Sequence, residues 1–134
     1  MKKNERQKML AGELYDSGDT ELTRMRIQAR AWMQEYNLTV YDKYRREKLL
    51  QKMLGKIGSN IDIQTPFFID YGRHIEVGDN FFANFNCVFL DCNYIKIGNN
   101  VSIGANAVVN KSFDEDNIVL AGIPAKIVKR QIAE

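Results

Sequence analysis

One imidazole and two thiols are the most reactive side chains in this 134-residue chain. His74 alone carries a group whose ordinary pKa suits proton transfer near neutral pH. A base must come within about 3 Å of the proton it removes, or act through one water, and nothing in the spacing around His74 provides that aim. It falls between Ile69 and Val77, where the spacing of aliphatic residues lengthens, and reads as an exposed or half-exposed corner residue. A lone histidine also argues against a zinc centre built on several imidazoles. Cys87 and Cys92 have neither a C-x-x-C pairing nor a histidine partner, so they read as buried or partly buried reduced thiols.

The elements that would position any such group are set by a repeat. Ile57-Gly58-Ser59-Asn60-Ile61, Val77-Gly78-Asp79-Asn80-Phe81 and Ile97-Gly98-Asn99-Asn100-Val101 follow one another at intervals of twenty residues, the mark of stacked units. Aliphatic or aromatic positions fall six apart within each period: Ile57, Ile63 and Ile69, then Val77, Ala83 and Phe89, then Ile97, Ile103 and Val109. Steps of eight join one set to the next. Three six-residue rungs per turn, each with one inward apolar residue, describe a triangular prism of parallel strands, with a two-residue insertion recurring at one corner. Gly and Asn after each apolar residue suit corners because both tolerate a left-handed backbone.

At 45% hydrophobic and 27% charged residues, with net charge +2, the composition is that of an ordinary globular domain. That charge is too small to suggest nucleic acid. No run of eighteen apolar residues points to a membrane span, and the start, Met1-Lys2-Lys3-Asn4-Glu5-Arg6, is not followed by the apolar stretch of a signal peptide. A cytoplasmic protein is the expectation.

Residues 1–55 read as a helical segment and 56–134 as the β-helix with its tail. A first helix is expected from Asn4 to Tyr15, broken at Ser17-Gly18-Asp19. Asp19 or Thr20 caps a second, whose stripe is Leu22, Met25, Ala29, Trp32, Met33 and Tyr36, with Asn37 as a left-handed terminator. Asp42 caps a third, with Leu49, Leu50, Met53 and Leu54 facing the body. Lys43, Arg45, Arg46 and Lys48 read as a solvated face, without the interleaved aromatics of a nucleic-acid surface. Past Val109 come Asp114, Glu115 and Asp116, a strand over Ile118-Val119-Leu120, a Gly-Pro turn, and a basic amphipathic segment whose plainest reading is a helix.

Lys8-Met9-Leu10-Ala11-Gly12-Glu13-Leu14-Tyr15, Asp70-Tyr71-Gly72, the stretch from Ile75 to Cys87, and Ala121-Gly122-Ile123-Pro124-Ala125-Lys126-Ile127-Val128-Lys129 together resemble the maltose and galactoside O-acetyltransferases, a branch of the hexapeptide-repeat acyltransferases. The resemblance covers nearly the whole chain. It implies a mainly β fold, a left-handed parallel β-helix with an N-terminal α-helical segment, assembled as a homotrimer with sites between neighbouring prisms. It also implies acetyl transfer from acetyl-CoA to a sugar hydroxyl. Such a hydroxyl needs a general base, and the oxyanion that follows needs hydrogen-bond donors.

By the same resemblance, acceptor contacts match Asp16 or Ser17, Arg26, Asp70, Phe82, Asn84 and Asp91. Phe82 stands where tyrosine is common, which removes a hydroxyl contact. Asn84 and Asp91 have a second reading, as corner residues bonding their own backbone, and Arg26 has one as a partner of Glu21. Acetyl-CoA positions match Ala105, Asn110, Lys111, Lys126 and Lys129. Lysines suit anionic phosphates, and a small residue leaves room for the pantetheine arm.

The departure from the family concerns the base. There it is a histidine in a Thr-x-His-Pro type segment after the third repeat phrase, whereas this chain passes from Asn100 straight to Val101-Ser102-Ile103-Gly104-Ala105-Asn106-Ala107-Val108-Val109-Asn110-Lys111, which resembles the family's last coil. On the order of fifty residues, close to three coils, are missing at this point, consistent with an internal deletion, natural or engineered, that keeps the strand phase. Two functions stay open: an O-acetyltransferase impaired by the loss, and a non-catalytic β-helix that oligomerises or binds CoA or sugar without turnover. A third outcome is poor folding, with Phe81, Phe82, Phe85 and Phe89 exposed as a sticky patch.

Overall fold

The computed structural model describes residues 2–131; residue 1 and residues 132–134 of the tail lie outside the described residues. Three helices precede the strands: α1 (Glu5–Leu10), α2 (Thr20–Tyr36) and α3 (Lys43–Met53). Asn4 and Gln7 form a reciprocal capping box at the start of α1. This helix stops well before Tyr15, because Gly12 takes a left-handed φ of +77° just past its end. Asp19, rather than Thr20, caps α2 by accepting from the Leu22 N–H at 3.2 Å, and Asp42 caps α3.

Asn37 ends α2 with a right-handed φ of −72°, not the expected left-handed one. Its side-chain amide instead bonds the Phe67 N–H and C=O, tying the helix to a strand edge. Arg46 also departs from expectation: it is buried rather than solvated, and donates to the Ile63 carbonyl oxygen.

Eleven short strands follow: β1 (Lys56–Ile57), β2 (Asp62–Ile63), β3 (Phe67–Ile69), β4 (Ile75–Val77), β5 (Phe82–Ala83), β6 (Cys87–Phe89), β7 (Ile95–Ile97), β8 (Val101–Ile103), β9 (Val108–Val109), β10 (Ile118–Ala121) and β11 (Lys126–Arg130). They form three parallel faces, β1-β4-β7, then β2-β5-β8-β10, then β3-β6-β9, with β11 added antiparallel beside β10. Register advances by twenty residues per coil, as in Lys56↔Glu76↔Lys96 and Asp62↔Phe82↔Ser102. The fourth coil is shorter, pairing Val101 with Ile118. The expected basic helix of the tail is thus a strand, since the turn at 122–125 folds the chain back along β10 as a hairpin.

Each full strand buries both its ends and turns only its middle residue outward. The core therefore holds two residues per rung rather than one, adding Phe67, Ile75, Phe81, Cys87, Ile95 and Val101 to the six-apart set. Each buried aliphatic or aromatic side chain of this kind contributes about 1.5–3 kcal/mol. Phe81 and Phe89 lie inside the prism, Phe82 is half-buried and Phe85 exposed, so the aromatic run is divided between core and surface. Helices α2 and α3 close the first coil, with Tyr36, Leu49, Leu50 and Met53 in the same continuous core.

The first corner owes its geometry to asparagine. Asn60, Asn80, Asn100 and Asn117 take φ of 56° to 60°, and each of the first three amides donates to the next one up at 2.8–2.9 Å. Gly58, Gly78 and Gly98 are needed for space instead: a Cβ on Gly98 would stand 2.6 Å from an Asp116 carboxylate oxygen and 2.7 Å from the Glu115 carbonyl.

Candidate functional site

Two other corners border the third face. The corner leaving it carries the two-residue insertion (70–74, 90–94), and the corner entering it carries Asn84-Phe85-Asn86 and Gly104-Ala105-Asn106. The structure divides the sequence-derived site residues between these two edges.

At the leaving corner, the Asp16–Asp19 turn, α2 and Asp70 meet. Arg26 Nη2 donates to the Ser17 carbonyl at 2.6 Å, and its Nη1 donates to the Tyr71 hydroxyl at 2.8 Å. Arg26 is thus held by Ser17 and Tyr71, not by Glu21. Asp16 accepts from the Gly18 N–H at 2.9 Å, closing its own turn. Arg26 and Asp70, with Arg30, Met33 and Phe68, line a cavity of about 180 Å³. Asn110 and Lys111 lie two coils above Asp70 along the same edge, and the Lys111 ammonium sits over the Phe113 ring.

Asp91 takes the second of its two sequence readings, a corner residue whose side chain bonds backbone. It is fully buried; Oδ1 accepts from the N–H groups of Asp70 and Tyr71 at 3.0 and 2.9 Å, and Oδ2 from that of Gly72 at 2.7 Å. Burial pushes its carboxyl up to about 6, against the lowering pull of these N–H groups. The outward position at this corner is Cys92, which is exposed rather than buried or partly buried as its sequence suggested, while Cys87 is buried; the Cys92 Sγ lies 3.5 Å from Asp70 Oδ2. Desolvation, followed by the Asp70 charge, pushes this thiol's pKa up, which disfavours the reactive thiolate.

His74 likewise is not an exposed corner residue; its relative exposure is 0%. Its ring is packed between Tyr71 and Tyr94. Nδ1 lies 2.7 Å from the Asp91 carbonyl oxygen, which can only accept, and Nε2 lies 3.3 Å from Arg6 Nη2, which can only donate. The imidazole is therefore neutral with its proton on Nδ1, and desolvation depresses its pKa. The inserted corner meets α1, whose Arg6 reaches the ring edge at Nε2.

At the entering corner, the Asn84 N–H donates to Ile103 O at 3.0 Å and its side-chain oxygen accepts from the Phe85 N–H at 2.8 Å. Ala105 sits one coil above, where the Asn106 N–H bonds Phe85 O. Phe82 lies on the adjoining second face, paired with Asp62 and Ser102. Lys126 and Lys129 are exposed on β11 of that same face, and neither is ion-paired among the described residues. Gly104 keeps the space beside Ala105 open, since a Cβ there would meet only Ala121 and Leu120 at 3.5 Å or more. A slim arm beside small residues, near free ammonium groups, fits this edge.

Among the described residues no three His, Cys, Asp or Glu side chains converge as metal ligands would, and no helix is long and apolar enough to cross a membrane.

Comparison with known proteins agrees with this geometry. Residues 8–58 match the family model for the maltose acetyltransferase hexapeptide capping motif. A putative acetyltransferase of Staphylococcus haemolyticus is 39% identical over 180 aligned positions, covering 93% of this chain and 94% of the relative. That alignment is longer than the chain, so it crosses positions where this chain has no residue. Against other curated relatives the chain spans just over half their length, 57% of one and 55% of another. Among solved structures, a maltose O-acetyltransferase from Clostridium difficile 630 is 27% identical with a TM-score of 0.72, covering 98% of this chain and 99% of that one. A hexapeptide-repeat acetyltransferase of Vibrio cholerae, solved with acetyl-CoA, is 25% identical with a TM-score of 0.65, covering 96% and 98%.

Proposed function

The chain belongs to the maltose and galactoside O-acetyltransferase family, and from that premise we propose that it holds acetyl-CoA and a sugar between protomers but transfers the acetyl group poorly, for want of a base. The observation that carries this reading is the engagement of both ring nitrogens of the fully buried His74, the chain's single histidine. Loss of general-base assistance costs about a hundredfold to ten-thousandfold in rate. The alignment that outruns the chain fits an internal loss, which the phase of the repeat phrases assigns to the join of Asn100 and Val101. The strand ladder crosses that point in register, with Asn100 taking the same left-handed corner conformation as Asn80.

Acetyl-CoA as donor is supported by the Vibrio relative's bound ligand and by the fit of Ala105, Lys126 and Lys129 to it. Asn110 and Lys111 would reach the nucleotide end from the other edge. Asp16, Ser17, Arg26 and Asp70 would meet the acceptor from one protomer, and Phe82 and Asn84 from the next.

A homotrimer makes sense of the division. The third face turns Phe68, Val88 and Val108 outward with no charge among them, while the first face presents Lys56, Glu76 and Lys96. Head-to-tail packing on an apolar face sets the leaving corner of one prism against the entering corner of its neighbour, since both corners border that face. The free thiols Cys87 and Cys92 suit a reducing cytoplasm.

Thiol release from acetyl-CoA in the presence of galactosides, glucose or maltose, run beside calorimetric titration with CoA, tests the proposal. CoA binding with slow or no sugar-dependent release is expected. Rapid sugar-dependent release would show that a base is present after all, and absent CoA binding would remove the donor site.

A further inference from the structure

Arg24, Gln28 and Trp32, spaced by four residues, share the face of α2 opposite Arg26. With Met25 they form one wall of a groove of about 220 Å³ whose other wall is Tyr71 and Arg73. We propose that this groove binds a small organic oxyanion, a carboxylate or phosphate monoester carried on a flat ring.

The lining is rich in hydrogen-bond donors: two guanidinium groups, an amide and the indole N–H, with no carboxylate among the lining residues. Neither arginine is ion-paired among the described residues. Arg73 is already fixed in place, because its Nη1 donates to the carbonyls of Lys52 and Leu54 at 3.0 Å each. A guanidinium held this way offers its remaining N–H groups as a preset fork, which matches two oxygens of one anion. Trp32 is half-buried and Tyr71 buried, so the groove also presents aromatic surface for an apolar body. Its volume falls below the about 300–1,000 Å³ of drug-sized sites, which limits the ligand to about one ring. The Arg26–Asp70 cavity shares no lining residue with this groove, although Arg26 bonds the Tyr71 hydroxyl between them.

Trp32 is the single tryptophan of the chain, so its emission reports on the groove directly. Benzoate and phenyl phosphate are titrated at fixed ionic strength, with neutral benzamide as control. A saturable emission change with at least one oxyanion is expected, none with benzamide, and about tenfold weaker binding in Arg24→Gln. Arg24 is exposed and has no hydrogen bond or ion pair among the described residues, so this variant should unfold at the same temperature as the natural chain. The stronger of the two oxyanions identifies whether carboxylate or phosphate is preferred. No saturable change with either, an equal response to benzamide, or unaltered binding in Arg24→Gln would overturn the proposal.

Discussion

His74 donates from Nδ1 to the backbone carbonyl of Asp91 at 2.7 Å, while the Asp91 carboxylate gathers the N–H groups of the three residues from Asp70 to Gly72. The two titrate in opposite senses. His74 is kept neutral by burial, so below about pH 6.5 the unfolded chain takes up a proton that the folded chain refuses, and stability falls as acid is added. The Asp91 carboxyl, raised to about 6 from 3.8, takes its proton first in the folded chain, so its contribution grows as pH falls through that interval. The natural chain should therefore show a shallow pH dependence from this pair. His74→Gln should leave the Asp91 trend alone, so that its urea midpoint rises relative to the natural chain as pH is lowered from 6.5 towards 4. Midpoints that move in parallel for the two proteins would deny His74 this role.

Removing the Asp91 carboxylate separates its structural part from any part in binding. Asp91→Asn would turn an amide NH2 towards N–H groups that now meet an oxygen, at a cost of about 1–3 kcal/mol. Urea unfolding at pH 7 reads this directly. A loss of sugar or CoA binding with unchanged stability would instead return Asp91 to the acceptor surface.

The asparagine ladder makes a graded prediction. Asn80 holds φ at 56° and bonds the amides above and below it. Asn80→Gly keeps the backbone freedom and loses only side-chain bonds, about 1 kcal/mol for each bond lost. Asn80→Val loses the same bonds and adds about 1–2 kcal/mol of left-handed strain. Thermal midpoints should fall in the order natural chain, glycine, valine; valine equal to glycine would show that strain is absent.

The prism was legible because its cause is local and repeats: a twenty-residue period fixes strand phase, and left-handed Asn residues fix the bends at two of the three corners. The second inward residue of each rung was harder to see, because Phe67, Cys87 and Ala107 vary in size where the six-apart set is mostly aliphatic. The length of α1 was overestimated because Met9, Leu10 and Leu14 keep helical spacing past Gly12, whose left-handed backbone ends the helix. His74 was misplaced, and only one of the two readings of Asp91 held, for a different reason. Their burial depends on α1 folding over the inserted corner, a contact between Arg6 and His74 across 68 positions that no spacing rule encodes. The tail's strand was hidden by its charge: Lys126, Lys129 and Arg130 suit an edge strand, where they discourage further pairing, as well as they suit a helix.

The apolar third face predicts an assembly. Val88 is the central outward residue of that face, between Phe68 and Val108. Val88→Glu would bury an unpaired charge in a trimer, at a far larger cost than in a monomer, where the half-buried side chain still reaches water. Sedimentation should give trimers for the natural chain and monomers for Val88→Glu, with similar helix and strand content by circular dichroism. The same change on the charged first face, Lys96→Glu, should leave the assembly intact. A natural chain that sediments as a monomer, or a Val88→Glu trimer, would move the interface elsewhere.

Three cations stand on β11, and their surroundings differ in a way that affinity measurements can detect. Arg130 is paired with Glu115, its Nε donating at 2.7 Å and its Nη2 at 3.3 Å, whereas Lys126 and Lys129 are exposed without a carboxylate partner among the described residues. A phosphate approaching β11 thus meets two free ammonium groups and one guanidinium already neutralised by its neighbour. Exposed charge pairs contribute about 0.2–1 kcal/mol each, so Lys126→Gln combined with Lys129→Gln should weaken CoA binding by about twofold to thirtyfold. The effect should shrink as salt is raised, since exposed charges are screened over about 8–10 Å at physiological ionic strength. Arg130→Gln should change affinity little. Calorimetry at low and high salt on the three proteins decides the matter: a larger loss in Arg130→Gln than in the double lysine variant would place the phosphates away from Lys126 and Lys129.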